Sequence, residues 1–314
     1  MLSRKAAFKE HKRCHFSVSE IVEKYSEWVS EDTYMIFDRL DLRNYEHKTF
    51  AIKCSKRGND VYRKRVYRRF RELSNLANEA DFFNPKDRTN DKTTRALFVT
   101  LTYDTKRCSL DSAWENMGLE FNCFMAYVRK NIGEVSCCRV FESYENGYPH
   151  IHCILLFEQE FQVFRDTKGN FRIPEKDIFS KGWHSHVDVK AVYSLGRGFS
   201  YLKKYLLKSI DAENKDSKTL KTLALCWLFN KRAFSVSGKF RKLLIDLIKT
   251  KHNSNHKKIQ ITLTGETTEF FVFAFVGIVP FNILSLTKHQ QQGRFIELTK
   301  EQTKISYHFV KEKH

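Results

Sequence analysis

The sequence predicts an α+β fold: a central antiparallel sheet with flanking helices, preceded by a basic, mainly helical region and followed by a mixed C-terminal region. Three observations predict it. The middle of the chain reads strand, helix, hairpin, strand, helix, an order that suits an antiparallel sheet with helices packed against it. The first 90 or so residues carry helical periodicity and many Lys and Arg side chains. Finally, the 314 residues are 41% hydrophobic, too apolar for a disordered chain and long enough to bury a core.

The elements follow in order. In "YRKRVYRRFREL" (62–73), Tyr62, Val66, Phe70 and Leu73 recur at helical spacing. Arg63, Lys64, Arg65, Arg68, Arg69 and Arg71 fill the other faces, either as a solvated charged surface or as a row that tracks phosphates. Arg63, Lys64, Arg68 and Arg69 are the candidate DNA contacts. "FFNPKDRTNDKTTR" (82–95) is polar and turn-rich, which suggests a boundary. "ALFVTLTY" (96–103) reads as a buried strand. Trp114, Met117, Phe121, Phe124 and Val128 then define one face of a helix that Gly133 closes. "VSCCRVFESYE" (135–145) and "HIHCILLF" (150–157) read as strands joined by the turn "ENGYP". "HSHVDVKAVY" (184–193) reads as a further strand and "GFSYLKKYLLKSI" (198–210) as a helix.

After a polar linker at 211–219 come two helical segments (220–229 and 238–250) and strand-like segments near 259–264 and 270–279. The expected organisation is therefore a basic N-terminal region (1–92), a core (93–210) and a C-terminal accessory region (211–314).

Lys and Arg outnumber Asp and Glu by 55 to 37, a formal net charge of +18. Such a surplus points to a polyanionic partner, nucleic acid first and an anionic membrane surface second. The eight cysteines form no C-x-x-C pair, which argues against a zinc ribbon or redox motif. The opening "MLSRKAAFKEHKRCHF" is basic and lacks an apolar core, so no signal peptide is expected. Together these point to a reducing cytoplasm, that of the host cell if a plasmid or virus encodes the chain. The apolar run 270–284 is interrupted by Pro280 and falls short of the ~20 residues that span a bilayer, so no stable membrane partner is expected.

Two histidines carry the chemistry. His150 and His152 are two residues apart in a predicted strand, so they share a face. The preceding strand offers Glu142 across the hairpin, with Glu145 at the turn as a fallback. Two imidazoles and a carboxylate suit Mg²⁺, Mn²⁺ or Zn²⁺; the plain alternative is a solvated polar face. A second His-x-His pair stands at His184 and His186. On the following helix, Tyr201 and Tyr205 share a face, with Lys204 and Lys208 each three residues after a tyrosine. A phenolate can attack a phosphodiester, and a nearby lysine can lower its pKa or hold the phosphate. The alternative is an ordinary amphipathic helix.

"FVTLTY" (98–103), "FESYENGYPHIHCILLF" (141–157) and "YLKKYLLK" (201–208) resemble, in order, the three motifs of HUH endonucleases, and that order resembles rolling-circle replication initiators (Rep proteins) of plasmids or viruses. The resemblance covers roughly residues 95 to 210. It implies site-specific nicking and joining of one DNA strand, with His150, His152 and Glu142 as ligands of Mg²⁺ or Mn²⁺. Lys204-Tyr205 followed by Lys208 matches the plasmid Rep pattern best, which implies Tyr205 as nucleophile and Tyr201 as a second one. Some members carry one tyrosine or a glutamate at the partner position, so the order of the two stays open. The implied partners are single-stranded or hairpin origin DNA and a host helicase and polymerase. No G-x-x-x-x-G-K-[ST] motif is present, so a helicase would be borrowed. A related transposase, or a basic nucleic-acid-binding protein with a degenerate core, are the competing readings.

Overall fold

The computed structural model describes residues 3–77, 81–87, 91–211, 216–243, 245–246, 271–287, 290–291 and 295–312. They pack as two units, one of residues 1–26 and 57–246, the other of residues 27–56 and 247–314. These packed units are discontinuous along the chain and do not follow the three consecutive regions read from the sequence.

The first unit opens with α1 (Arg4–Cys14) and, up to Ser26, α2 (Val18–Ser30). Its core is a five-stranded antiparallel sheet. The strands are β3 (Thr93–Thr102), β4 (Val135–Ser143), β5 (Pro149–Gln162), β8 (Val187–Ala191) and β9 (Phe234–Ser237), in the order β8-β3-β5-β4-β9. A short ribbon, β6 (Phe164–Arg165) with β7 (Phe171–Arg172), follows β5. The longest strand, β5, lies at the centre, with Glu142 of β4 and Thr102 of β3 both directly opposite His150.

Alternation divides the sheet into two apolar faces. One carries Ala96, Phe98, Cys138, Val140 and Ile154 under α3 (Asp60–Ala77) and α6 (Leu195–Lys208). Tyr62, Val66, Phe70 and Leu73 of α3 are all buried there, as their spacing predicts. From α6 come Leu195, Phe199, Leu202 and Leu206. A Cβ on Gly198 would stand 3.1 Å from Val192, so a residue without a side chain lets α6 come down close to the sheet. The opposite face is covered by α4 (Leu110–Asn131) and α5 (Lys176–Trp183), whose Phe124 and Phe179 rings meet and whose Phe179 reaches Phe157 of β5. The predicted stripe of α4 is buried throughout, and Gly133 follows it at φ +127°. The sheet is thus covered on both faces by helices, the α+β arrangement expected.

The β4–β5 hairpin is tight. Gly147 turns it at φ +89°, and its carbonyl accepts a hydrogen bond from the buried Trp114 indole (2.8 Å), which locks the turn onto α4. The predicted strand 184–193 is shorter than expected. His184 is the left-handed residue that ends α5 and His186 precedes β8, because the chain must first leave the helix before it can join β3. The helix α7 (Ser217–Leu228) is capped by Asp216, whose carboxylate accepts from Thr219 N–H. The expected helix 238–250 is helical over 239–243 and at 245–246, the remainder lying outside the described residues.

The second unit contains a hairpin absent from the sequence reading: β1 (Thr33–Asp41) and β2 (Glu46–Lys53) inside a region read as helical. With β10 (Phe271–Pro280) and β11 (Phe295–Glu297) they form an antiparallel sheet ordered β10-β1-β2-β11. The short α8 (Phe281–Leu284) and α9 (Lys300–Glu312) accompany it. The apolar run at 270–284 is accounted for by β10 and α8, with Val279 and Leu284 fully buried beside Tyr34, Ile36 and Ala51. No helix among the described residues is long and apolar enough to cross a membrane. The strand expected near 259–264 lies outside the described residues.

The grip of α6 on the sheet gives a direct test. Phe199 is fully buried and packs edge-on against both Phe70 and Phe240. Phe199→Ala is expected to cost about 3–5 kcal/mol of unfolding free energy, measured by urea denaturation.

Candidate functional site

The site grows from one row of the sheet. Glu142 (β4), His150 and His152 (β5) and Thr100 (β3) point to the same face, at the end not filled by the hydrophobic cluster. Glu142 is 3% exposed and His152 4% exposed, so each needs a partner inside the protein. His152 Nε2 lies 3.0 Å from Glu142 Oε2, and its Nδ1 lies 3.2 Å from Thr100 Oγ1. An ionised carboxylate only accepts, so Nε2 carries the proton and the threonine hydroxyl donates to Nδ1.

Two ammonium groups complete the shell of Glu142. Lys208 of α6 donates to Oε1 at 2.7 Å, and Lys218 of α7 lies 3.3 Å from the same oxygen. Burial by itself raises the Glu142 carboxyl, but the hydrogen bonds from His152 and Lys208 reverse this and hold it down at about 2. His150 is lowered to about 4, by burial first and then by His152, against the attraction of Glu142. His152 is lowered too, again by burial, with Glu142 opposing. Both imidazoles are therefore neutral at pH 7.

The tyrosine helix lies on the same face. The Tyr205 ring stacks on His152 with centroids 3.6 Å apart, and its hydroxyl donates to Tyr201 at 3.1 Å. Burial raises the Tyr205 phenol well above its usual value; the hydrogen bond to Tyr201 and the carboxylates of Glu142 and Asp188 push the same way. Tyr201 sits edge-on to Phe98 and is 38% exposed. It borders a cavity of about 440 Å³ shared with Lys190, Arg197 and Lys204. Lys204 lies over the Tyr201 ring and Lys208 over Tyr205.

The structure thus brings Glu142, His150, His152, Tyr201, Tyr205, Lys204 and Lys208 to one region. Glu145 does not join them: its side chain is exposed in the hairpin turn, and its carbonyl accepts from Lys221. Nor do His184 and His186 gather with this pair; His184 lines a separate cavity with Tyr103 and Trp183. On α3, Lys64, Arg68 and Arg69 are exposed, whereas Arg63 is paired with Asp211 at 2.8 Å. Four contributors escaped the sequence reading. Thr100 orients His152, Tyr144 stacks on His150 with centroids 4.8 Å apart, Asp188 faces the tyrosines from β8, and Lys218 arrives from a helix beyond the motif region. Only Thr100, inside "FVTLTY", lay in a stretch with a signal to follow.

For a divalent cation the donor chemistry fits: one ionised carboxylate and two neutral imidazoles on facing positions of adjacent strands. As the side chains stand, Glu142 is engaged by His152 and the two lysines, and among the described residues no three His, Cys, Asp or Glu side chains converge as a metal site.

A five-stranded antiparallel sheet covered by helices, with a histidine pair facing a tyrosine helix, defines the class of arrangement. Residues 96–210 match the family model of the ORF2-type replication-associated protein, and this similarity supports a replication initiator family. No curated protein and no solved structure gives a match.

Burial of His150 has a measurable consequence in the metal-free protein. Its folded pKa is depressed, so between pH 6.5 and about 4 the unfolded chain takes up a proton there that the folded chain does not. Stability contributed by this group is intact above pH 6.5 and falls as pH drops through that window. NMR titration should find His150 protonating near pH 4, and urea denaturation of His150→Asn should show a flatter pH dependence than the unaltered chain.

Proposed function

We propose that the chain is a replication initiator that nicks and rejoins one strand of DNA through a covalent tyrosine intermediate. The observation that carries this reading is the Tyr205 ring stacked on His152, beside the Glu142 carboxylate. A phenol, two neutral imidazoles, a carboxylate and two lysines on one face of a rigid sheet are what phosphodiester transesterification needs. The similarity of residues 96–210 to a replication-associated family supports the same reading.

In the proposed step the phenolic oxygen attacks the scissile phosphorus and the bond from phosphorus to the 3′ oxygen breaks. The products are a 5′-phosphotyrosine and a free 3′-OH, and the phenolic proton passes to solvent or to the leaving oxygen. His150, His152 and Glu142 would hold Mg²⁺ or Mn²⁺, which when bound supplies Lewis-acid polarisation of the phosphate. Thr100 keeps the His152 ring in place. Lys208, 34% exposed and poised between Glu142 and the Tyr205 ring, can turn to the phosphate. Because its surroundings raise the Tyr205 phenol, this residue is a weak nucleophile until positive charge offsets the nearby carboxylates.

Tyr205 is the first choice of nucleophile and Tyr201 the second used in rejoining. One observation favours the reverse order: Tyr201 is the more exposed phenol and borders the cavity shared with Lys190, Arg197 and Lys204. The proposed substrate is single-stranded or hairpin origin DNA, with exposed Lys64, Arg68 and Arg69 as phosphate contacts. A host helicase and polymerase would extend the freed 3′ end.

The test is cleavage of labelled single-stranded oligonucleotides tiling a candidate origin, with Mn²⁺ or with EDTA. The expected result is a metal-dependent nick with label transferred to protein. Tyr205→Phe should lose about 10³-fold or more, and Tyr201→Phe should retain first-strand cleavage. The opposite pattern reverses the two tyrosines. Salt-sensitive binding of the origin with no adduct would leave a nucleic-acid-binding protein instead.

A further inference from the structure

The far side of the sheet carries a basic cavity that the nicking chemistry does not use. Alternation along β4 sends Arg139 to the face opposite Glu142, beneath α4. Its guanidinium lies 4.2 Å from the Phe121 ring centroid and 5.2 Å from that of Phe141. Nε donates to Ser235 Oγ of the edge strand β9 at 2.7 Å, which fixes the plane of the fork. Nη1 is buried with no hydrogen-bond partner among the described residues. Arginine stays protonated, so this is a positive group with an unused donor in a place water does not reach.

The space beside it is a cavity of about 250 Å³, bordered by Asn122, Arg129, Ser235 and Ser237 as well as Arg139. Among the described residues no carboxylate lines it. Apart from the neighbouring thiols of Cys137 and Cys153, the group that acts on Arg139 is another cation, Arg232. Two guanidiniums, two hydroxyls and an amide around a small cavity offer many donors and no anionic counter-charge. A planar fork held by stacking and by one side-chain bond is a form suited to a tetrahedral oxyanion.

We propose that this cavity, between α4 and the β4–β9 edge, binds a phosphoryl group, presented either as free phosphate or a nucleotide or by the backbone of DNA passing that edge. The cavity takes the phosphoryl oxygens against Arg139, with Arg129 at the exposed side of the cavity. The site is independent of the nicking reading, because binding is measured without cleavage.

The experiment uses the full chain with inorganic phosphate, followed by NMR or thermal shift at ionic strength held constant with NaCl. Saturable binding is expected for the unaltered protein, loss in Arg139→Gln and several-fold weakening in Arg129→Gln. A second arm measures binding of an oligothymidylate across a salt series in EDTA, which prevents metal-assisted cleavage. If DNA supplies the phosphoryl group, Arg139→Gln lowers the slope of log K against log salt by about 0.7, the value for one single-strand phosphate contact. An unchanged slope with lost phosphate binding assigns the site to free phosphate or a nucleotide. Phosphate binding no stronger than chloride in the unaltered protein, with an unchanged slope, overturns the proposal, as does phosphate binding that both variants retain. Should Arg139→Gln fail to fold, the exposed Arg129→Gln decides: unaltered phosphate binding and an unaltered slope in that variant overturn it.

Discussion

A carboxylate buried in the middle of a sheet must be ionised and paired, or protonated and bonded; Glu142 is the former. Its two oxygens draw together His152 from the neighbouring strand, Lys208 from α6 and Lys218 from α7. Those bonds outweigh the penalty of burial and keep the group charged. They also give three separate elements a reason to meet at one end of the sheet. The hydrophobic cluster beneath α6 holds that helix down, and the polar end of the same face is where its tyrosines and last lysine arrive.

That layout explains how a site can be both rigid and reactive. Rigidity comes from the sheet: His150 and Glu142 are direct cross-strand partners, and β5 is hydrogen-bonded on both sides. Reactivity comes from groups kept in unusual protonation balance. Two imidazoles are neutral because they are buried, one carboxylate is charged because it is paired, and one phenol is held protonated by burial and by neighbouring negative charge. Perturbation of several groups in one small region is a recurrent mark of functional sites. It is a site set to respond when positive charge arrives.

Much of the core was legible in the sequence because its signals are local. Period-two alternation in "HIHCILLF" and the Gly147 turn made the β4–β5 hairpin readable, and with it the meeting of Glu142 and His150. The stripes of α3 and α4 were readable from spacing alone and are buried as expected. What escaped depends on distant pairing. The β1–β2 hairpin gains its sheet partner β10 from the far end of the chain, so nothing near residues 33–53 announces the sheet they complete. Lys218 follows a polar linker and looks like any solvated lysine until α7 brings it to Glu142. Arg63 looked like its exposed neighbours, yet it pairs with Asp211, more than a hundred residues away in sequence.

The central claim is that the His–Glu cluster and the tyrosine helix form one site for a divalent cation. Paramagnetic relaxation by Mn²⁺ tests it most directly. Substoichiometric Mn²⁺ should broaden the ring resonances of His150, His152 and Tyr205 before any others, and Glu142→Gln should weaken the effect at least tenfold in metal concentration. Early broadening at His184 or at surface carboxylates, with the Tyr205 ring untouched, would contradict it.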